Sequence, residues 1–273
     1  MRPATGSLYQ AARECLLTQD LEEKLEHSAR VALAWRGGEL GLGGWTPADG
    51  VVEAGRPERP RLVHPSQLAR RGLGSERGRL ALLHAIAHIE FNAINLAWDA
   101  VSRFPGLPVD YYGDWIQVAE EEAHHFRLVR ERLRQAGVDY GAFPAHNGLW
   151  EMARRTAHDP LVRMALVPRM LEARGLDVTP GIIERFRKLG DLETVEVLQL
   201  ILAEEIGHVA FGSRWFRYLC EQRGLESEST YFKLLHDFLG GGIRCPLHHQ
   251  ARREAGFTQP ELEHLQALCD RPD

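Results

Sequence analysis

The chain has few cysteines. The four it has (Cys15, Cys220, Cys245 and Cys269) stand far apart, with no Cys-x-x-Cys spacing. That argues against a thiolate metal site and leads us to expect reduced thiols in a cytoplasmic protein. Positive charge is not in excess: 33 Lys and Arg against 38 Asp and Glu leave −5, which gives no general attraction to nucleic acid or to an anionic membrane. No stretch approaches the roughly 18 apolar residues of a membrane-crossing helix. The opening MRPATGSLYQAARECLL lacks the apolar core of a signal peptide. Repeats with a period of roughly 20–50 residues are missing, which speaks against a solenoid. Glycines are plentiful but not in nucleotide-binding order. GGELGLGG at 37–44 is followed by no P-loop Lys-Ser/Thr, and no Rossmann fingerprint occurs. Any reducing equivalents would therefore come from an external electron donor.

What the sequence does have is helical periodicity. Residues 7–35 read as a helical segment with Asp20 as a cap or break. Residues 36–78 are rich in Gly and Pro and read as an irregular segment lying over something else, or as a linker. From 76 onward we expect helices over about 76–103, 110–136, 147–156, 159–174, 180–188, 191–223 and 228–239, with a short one after Pro260. Gly137, Gly175 and Gly224 fall where C-caps belong, and Pro105, Pro160 and Pro180 mark boundaries. The expected organisation is an N-terminal extension over 1–75, a helical bundle over 76–245 and a tail over 246–273. The fold class is all-α.

The helical spacing places the carboxylates. Over 80–101, Leu80, Leu83, Ala87, Phe91, Ile94, Trp98 and Val101 share a stripe with Glu90 near its middle. His84 and His88 flank it one turn apart, where they could orient ligating carboxylates or simply pack. Over 115–136, the run EEEAHHF offers two overlapping Glu-x-x-His pairs. The stripe of Trp115, Val118, Ala119, Phe126, Val129 and Leu133 selects Glu122/His125 as the inward pair and turns His124 toward solvent. Over 191–219 the stripe centres on Glu205 with His208 beside it, and Glu204 points away. Over 159–174 a weaker stripe, with Pro168 as a source of distortion, carries Glu172. Glu193 or Glu196 could serve in its place.

A lone carboxylate at the centre of a buried stripe is costly unless it is paired or binds metal. One Glu from each of two helices and Glu-x-x-His from two more is the pattern of carboxylate-bridged dinuclear sites in four-helix bundles. Four carboxylates neutralise two divalent cations, and one imidazole per metal leaves positions open for oxygen or substrate. Buried ion pairs with arginines such as Arg155 or Arg169 are the competing account. A further Glu-x-x-His, Glu261/His264, has no companion and reads as surface.

The stretches HAIAHIEFNAINLAWD (84–99), EEAHHF (121–126), RMLEARGLDVTPG (169–181) and AEEIGHVAFG (203–212) resemble a bacterial ferritin-like family known mainly as a domain of unknown function. That family is a distant relative of the ferritin-like tRNA hydroxylase. AGRPERPRLVHP (54–65) and GIRCPLHHQARREAGF (242–257) extend the likeness over most of the chain. The resemblance implies a ferritin-like four-helix bundle with added helices and two metal ions held by Glu90, Glu122, His125, Glu172, Glu205 and His208. Iron is the first choice, with manganese or zinc as alternatives. The resemblance supplies no substrate, but the open metal positions and mixed Glu/His ligation lead us to expect an oxygen-activating oxidase or hydroxylase acting on a small molecule or RNA. The alternatives are a ferroxidase and a helical scaffold with a structural metal. Where the tail reads CPLHHQAR, the family pattern has Pro-Phe-Asn before Ala-Arg, so His248 and His249 have no counterpart there.

Other candidates have simpler accounts. Tyr111 and Tyr112 could bring a phenol near the metals, or pack at a helix start. His248 and His249 with Cys245 could form an accessory site, or belong to a loop. The arginines of RRGLGSERGR at 70–79 could meet an anionic substrate, or simply be solvated.

Overall fold

A computed structural model of the protein describes residues 6–45, 53–68, 72–239 and 243–269. Arg70 and Arg71 of the arginine-rich patch and Gly242 of the tail motif lie outside these residues. The described residues are overwhelmingly helical. Two-residue strands β1 (Gly6–Ser7) and β2 (Leu40–Gly41) pair in parallel. The helical segment expected over 7–35 splits into α1 (Leu8–Leu17) and α2 (Leu21–Arg36). Asp20 makes the break, and its carboxylate accepts the Glu23 amide as an N-cap. Then come α3 (Glu76–Arg103), α4 (Val109–Gln135) and the short α5 (Gly148–Arg155). They are followed by α6 (Pro160–Leu166), a π-helical turn (Val167–Glu172), α7 (Ala173–Lys188), α8 (Leu192–Gln222), α9 (Ser227–Leu239), α10 (His249–Glu254) and α11 (Gln259–Cys269).

The chain forms two compact units, Met1–Arg154 and Arg155–Asp273. In the first, α3 and α4 pack along each other, α1 lies on α3 and α2 on α4. Trp98, Trp115, Phe126, Tyr111 and Tyr112 are fully buried here, each contributing about 1.5–3 kcal/mol in apolar burial. Lys24 is buried as well. Its amine donates to the carbonyls of Cys15 and Leu16 at the end of α1 and to Asn95 Oδ1 on α3. The irregular segment does lie over something: the Val63 amide donates to the Ala145 carbonyl, the Ala145 amide donates to the Arg61 carbonyl, and Arg56 donates to Asn147. In the second unit, α8 packs against α6, the π turn and α7, α9 covers α6 and α8, and α10 lies on α7 and α8.

Four expectations need correction. Gly175 and Pro180 do not end a helix, because α7 runs through both. Its buried face of Leu176, Asp177, Ile183 and Phe186 outweighs the local signals for a break. The cysteines are not all free thiols, since Cys245 and Cys269 are joined in a disulfide while Cys15 and Cys220 remain buried thiols. The chain folds α11 back beside the segment before α10, a proximity that separation along the sequence conceals. α3 has the length and mean hydropathy of a membrane-crossing helix, although 72% of that window is buried inside the protein, as in a core helix. His84, His88, Glu90, Asn92 and Asn95 interrupt its apolar run, which is why it did not read as one. Finally, Glu261 is buried, not a surface residue, and pairs with Arg169.

Candidate metal centre

In the first unit, α3 brings Glu90 and α4 brings Glu122 and His125 to one place. Residues 90–101 of α3 are buried around the full circumference of the helix, so Glu90 cannot escape to solvent. On α4, Glu122 and His125 are completely buried while His124 is exposed and Glu121 half-buried. Ligand atoms of Glu90, Glu122 and His125 all lie within 4.8 Å of one another. His125 Nδ1 is 3.5 Å from Glu90 Oε2 and 3.5 Å from Glu122 Oε2. Those separations exceed an ordinary hydrogen bond, and Glu90 Oε2 is buried without a hydrogen-bond partner.

The electrostatics are those of a site short of positive charge. Burial, with the Glu122 carboxylate alongside, pushes Glu90 up to about 8. For His125, burial opposes the charged ring, but the carboxylates of Glu122 and Glu90 outweigh it and push the imidazole up to about 11. A divalent cation would satisfy the same carboxylates by replacing protons.

The second unit supplies another Glu–His pair and a buried glutamate. On α8, His208 is fully buried, and its Nδ1 lies 3.7 Å from Oε2 of Glu205, whose side chain is 13% exposed. Glu205 Oε2 is itself buried without a hydrogen-bond partner. Glu172 is buried at the last position of the π turn. Its rivals Glu193 and Glu196 are exposed, and Glu204 is half-buried. Arg169 does not pair with any of these carboxylates, because its partner is Glu261. Glu90, Glu122 and His125 could therefore hold a metal ion, and each unit sets a buried histidine beside a carboxylate with a buried oxygen that has no hydrogen-bond partner. That is the fit a cation requires.

The two flanking histidines are engaged with the 140–146 loop. His88 Nδ1 shares a 2.7 Å hydrogen bond with the Tyr140 hydroxyl, and its Nε2 lies 3.1 Å from both the His146 carbonyl and Asn92 Nδ2. Burial pulls His88 down to about 4, which keeps the ring neutral. His84 Nε2 accepts the Gly141 amide, and its ring stacks on Tyr140. Tyr140, which no spacing rule singled out, also packs on Phe91 and Phe126, the neighbours of Glu90 and His125. Tyr111 and Tyr112 serve the α3–α4 connection, with Tyr112 donating to the Phe104 carbonyl and Tyr111 to that of Ala100. His248 caps α10 by accepting the Ala251 amide, and His249 bonds Gln266.

Comparison with known proteins bears on what this centre belongs to. The family described as "Protein of unknown function (DUF455)" matches residues 17–263. A Haemophilus influenzae protein named only "Uncharacterized protein" is 47% identical over 224 residues, covering 80% of this chain and 77% of the relative. No solved structure matches the chain.

Proposed function

The chain belongs to the DUF455 family of proteins of unknown function, and from that premise, which brings no reaction with it, we propose that it is a ferritin-like dinuclear metal protein. On this proposal the ligand set is the one that four-helix bundles use for two metal ions, with Glu90, Glu122, His125, Glu172, Glu205 and His208 as the ligands. One observation carries the proposal: each unit presents a buried carboxylate oxygen with no hydrogen-bond partner, on Glu90 and on Glu205, beside a buried histidine. Partnerless buried carboxylates destabilise a fold unless a cation binds them.

The activity we propose is oxidation or hydroxylation of a small molecule or RNA by dioxygen. A pair of ferrous ions, when bound, supplies electrons to dioxygen. Hydroxylation places one oxygen atom in a C–H bond and releases the other as water, consuming two electrons and two protons from an external donor. The chain's own residues hold the carboxylates apart from water and fix the histidines. His125 and His208 lie wholly inside the protein, and Phe91, Phe126 and Tyr140 wall the first half of the centre.

The test is metal content by mass spectrometry on protein purified without added metal, followed by anaerobic ferrous titration and readmission of oxygen. Two metals per chain with an oxygen-dependent absorption change is the expected result. Zinc alone, or no metal, would overturn the oxidase reading.

A further inference from the structure

The π turn is the point where the helix carrying Glu172 leaves α geometry, and residues of its own unit grip it from two sides. On one side, Pro168 sits against Gly212 of α8, so closely that a methyl there would lie 2.4 Å from Pro168 Cγ. On the other, the Arg169 guanidinium, 1% exposed, lies 4.2 Å from the ring of Tyr231, 4.7 Å from Phe257 and 4.8 Å from Phe216. Its Nη2 donates to Glu261 Oε1 at 2.6 Å. The Tyr231 hydroxyl donates to the Arg169 carbonyl at 3.0 Å, holding the backbone of the turn as well as the side chain.

Glu261 serves two elements at once. Its Oε2 accepts the Thr258 amide while Thr258 Oγ1 accepts the Glu261 amide, the reciprocal capping box that starts α11. The remaining oxygen goes to Arg169. The C-terminal segment is fixed in turn: Arg252 grips Asp177 of α7 through two hydrogen bonds, and Arg174 donates to the carbonyls of Arg244, Cys245 and Pro246. Glu172 follows Arg169 by three residues. In an α-helix residues three apart share a face. The i→i+5 turn is wider and opens the angle between them, so Arg169 can be committed to the tail while Glu172 turns elsewhere.

We infer that Arg169 and Glu261 are positioning residues for the Glu172 carboxylate, and that the C-terminal segment thereby sets the affinity of the metal ion bound by Glu172, Glu205 and His208. This rests on the dinuclear reading above. The ion bound through Glu90, Glu122 and His125 does not depend on the tether.

The experiment is cobalt(II) titration of the metal-free full-length chain, followed by visible absorption and equilibrium dialysis. Glu261→Gln keeps the capping box but removes the charge facing Arg169. The double variant Arg169→Met/Glu261→Leu removes both charges together and stands in if the single variant does not fold. Far-ultraviolet circular dichroism confirms the fold of each. Wild type is expected to take up two equivalents. A folded variant is expected to bind the first with unchanged affinity and the second about 10- to 100-fold more weakly, the range found when groups supporting metal ligands are lost. Two equivalents at wild-type affinity in a folded variant would overturn the inference and leave the dinuclear reading standing. So would equal weakening of both. Wild type that takes up no cobalt would overturn the dinuclear reading itself, and this inference with it.

Discussion

His125 on α4 places Nδ1 3.5 Å from Oε2 of Glu90 on α3, the same distance that separates it from Glu122 on its own helix. One imidazole faces two carboxylates in a place that water does not reach. The arrangement suits a cation and is a poor way to stabilise a protein without one.

Glu122→Ala is therefore expected to abolish tight metal uptake, read as metals per chain by mass spectrometry. A variant that kept two irons would show the ligand assignment to be wrong.

Asp159 offers a pH test away from the metal centre. Its carboxylate caps α6 through the Leu161 amide and takes both arms of the Arg223 guanidinium. Burial works against the charge, but Arg223 and the Leu161 amide outweigh it and hold the carboxyl below its ordinary range. A depressed carboxyl stabilises the fold at pH values above the unfolded value near 3.9, and that contribution is lost as pH falls through the lower folded value. Asp159→Ala should cost roughly 1–2 kcal/mol at neutral pH and less in acid. Urea midpoints for both proteins at pH 7 and pH 3 check this, and an equal cost at both would refute it.

Gly212→Ala puts a methyl where Pro168 already lies. Overpacking of this kind costs about 1–3 kcal/mol. Amide exchange should quicken over the π turn before it quickens over α4. Exchange unchanged at 167–172 would show that the contact is not a tight one.

The disulfide closes a separation of 24 residues, for which the loop-entropy relation gives about 3 kcal/mol. Cys245→Ser should lose stability of that order, and a reductant should lower the wild-type melting temperature but not the variant's. Melting curves that did not respond to reductant would count against a bridge in solution.

Much of this was legible in the sequence, and the exceptions have physical causes. Glu90, Glu122, His125, Glu205 and His208 sit on long regular helices, where rotation of about 100° per residue holds, and their burial follows the apolar stripes. Glu172 gave a weak stripe because the helix is not α over Val167–Glu172, so a fixed angular step misplaces it. Pro168 was the visible sign. The Arg169–Glu261 pair was out of reach because 92 residues separate its members. Glu261 looked like a surface residue because its Glu-x-x-His pair has no companion, whereas the partner that it meets in the interior is Arg169. Pro180 and Gly175 misled because tertiary burial of Leu176, Ile183 and Phe186 decided the outcome.

Lysine is rare here: Lys24, Lys188 and Lys233 are the complete set. Lys188 and Lys233 have side chains 74% and 73% exposed, whereas Lys24 is 1% exposed and ties α1 to α3. An amine-acylating reagent thus meets two lysine side chains on the folded protein and a third only on a molecule whose α1 has come away. The mass of one extra adduct becomes a direct count of opened chains, read from the unmodified sequence without tag or dye.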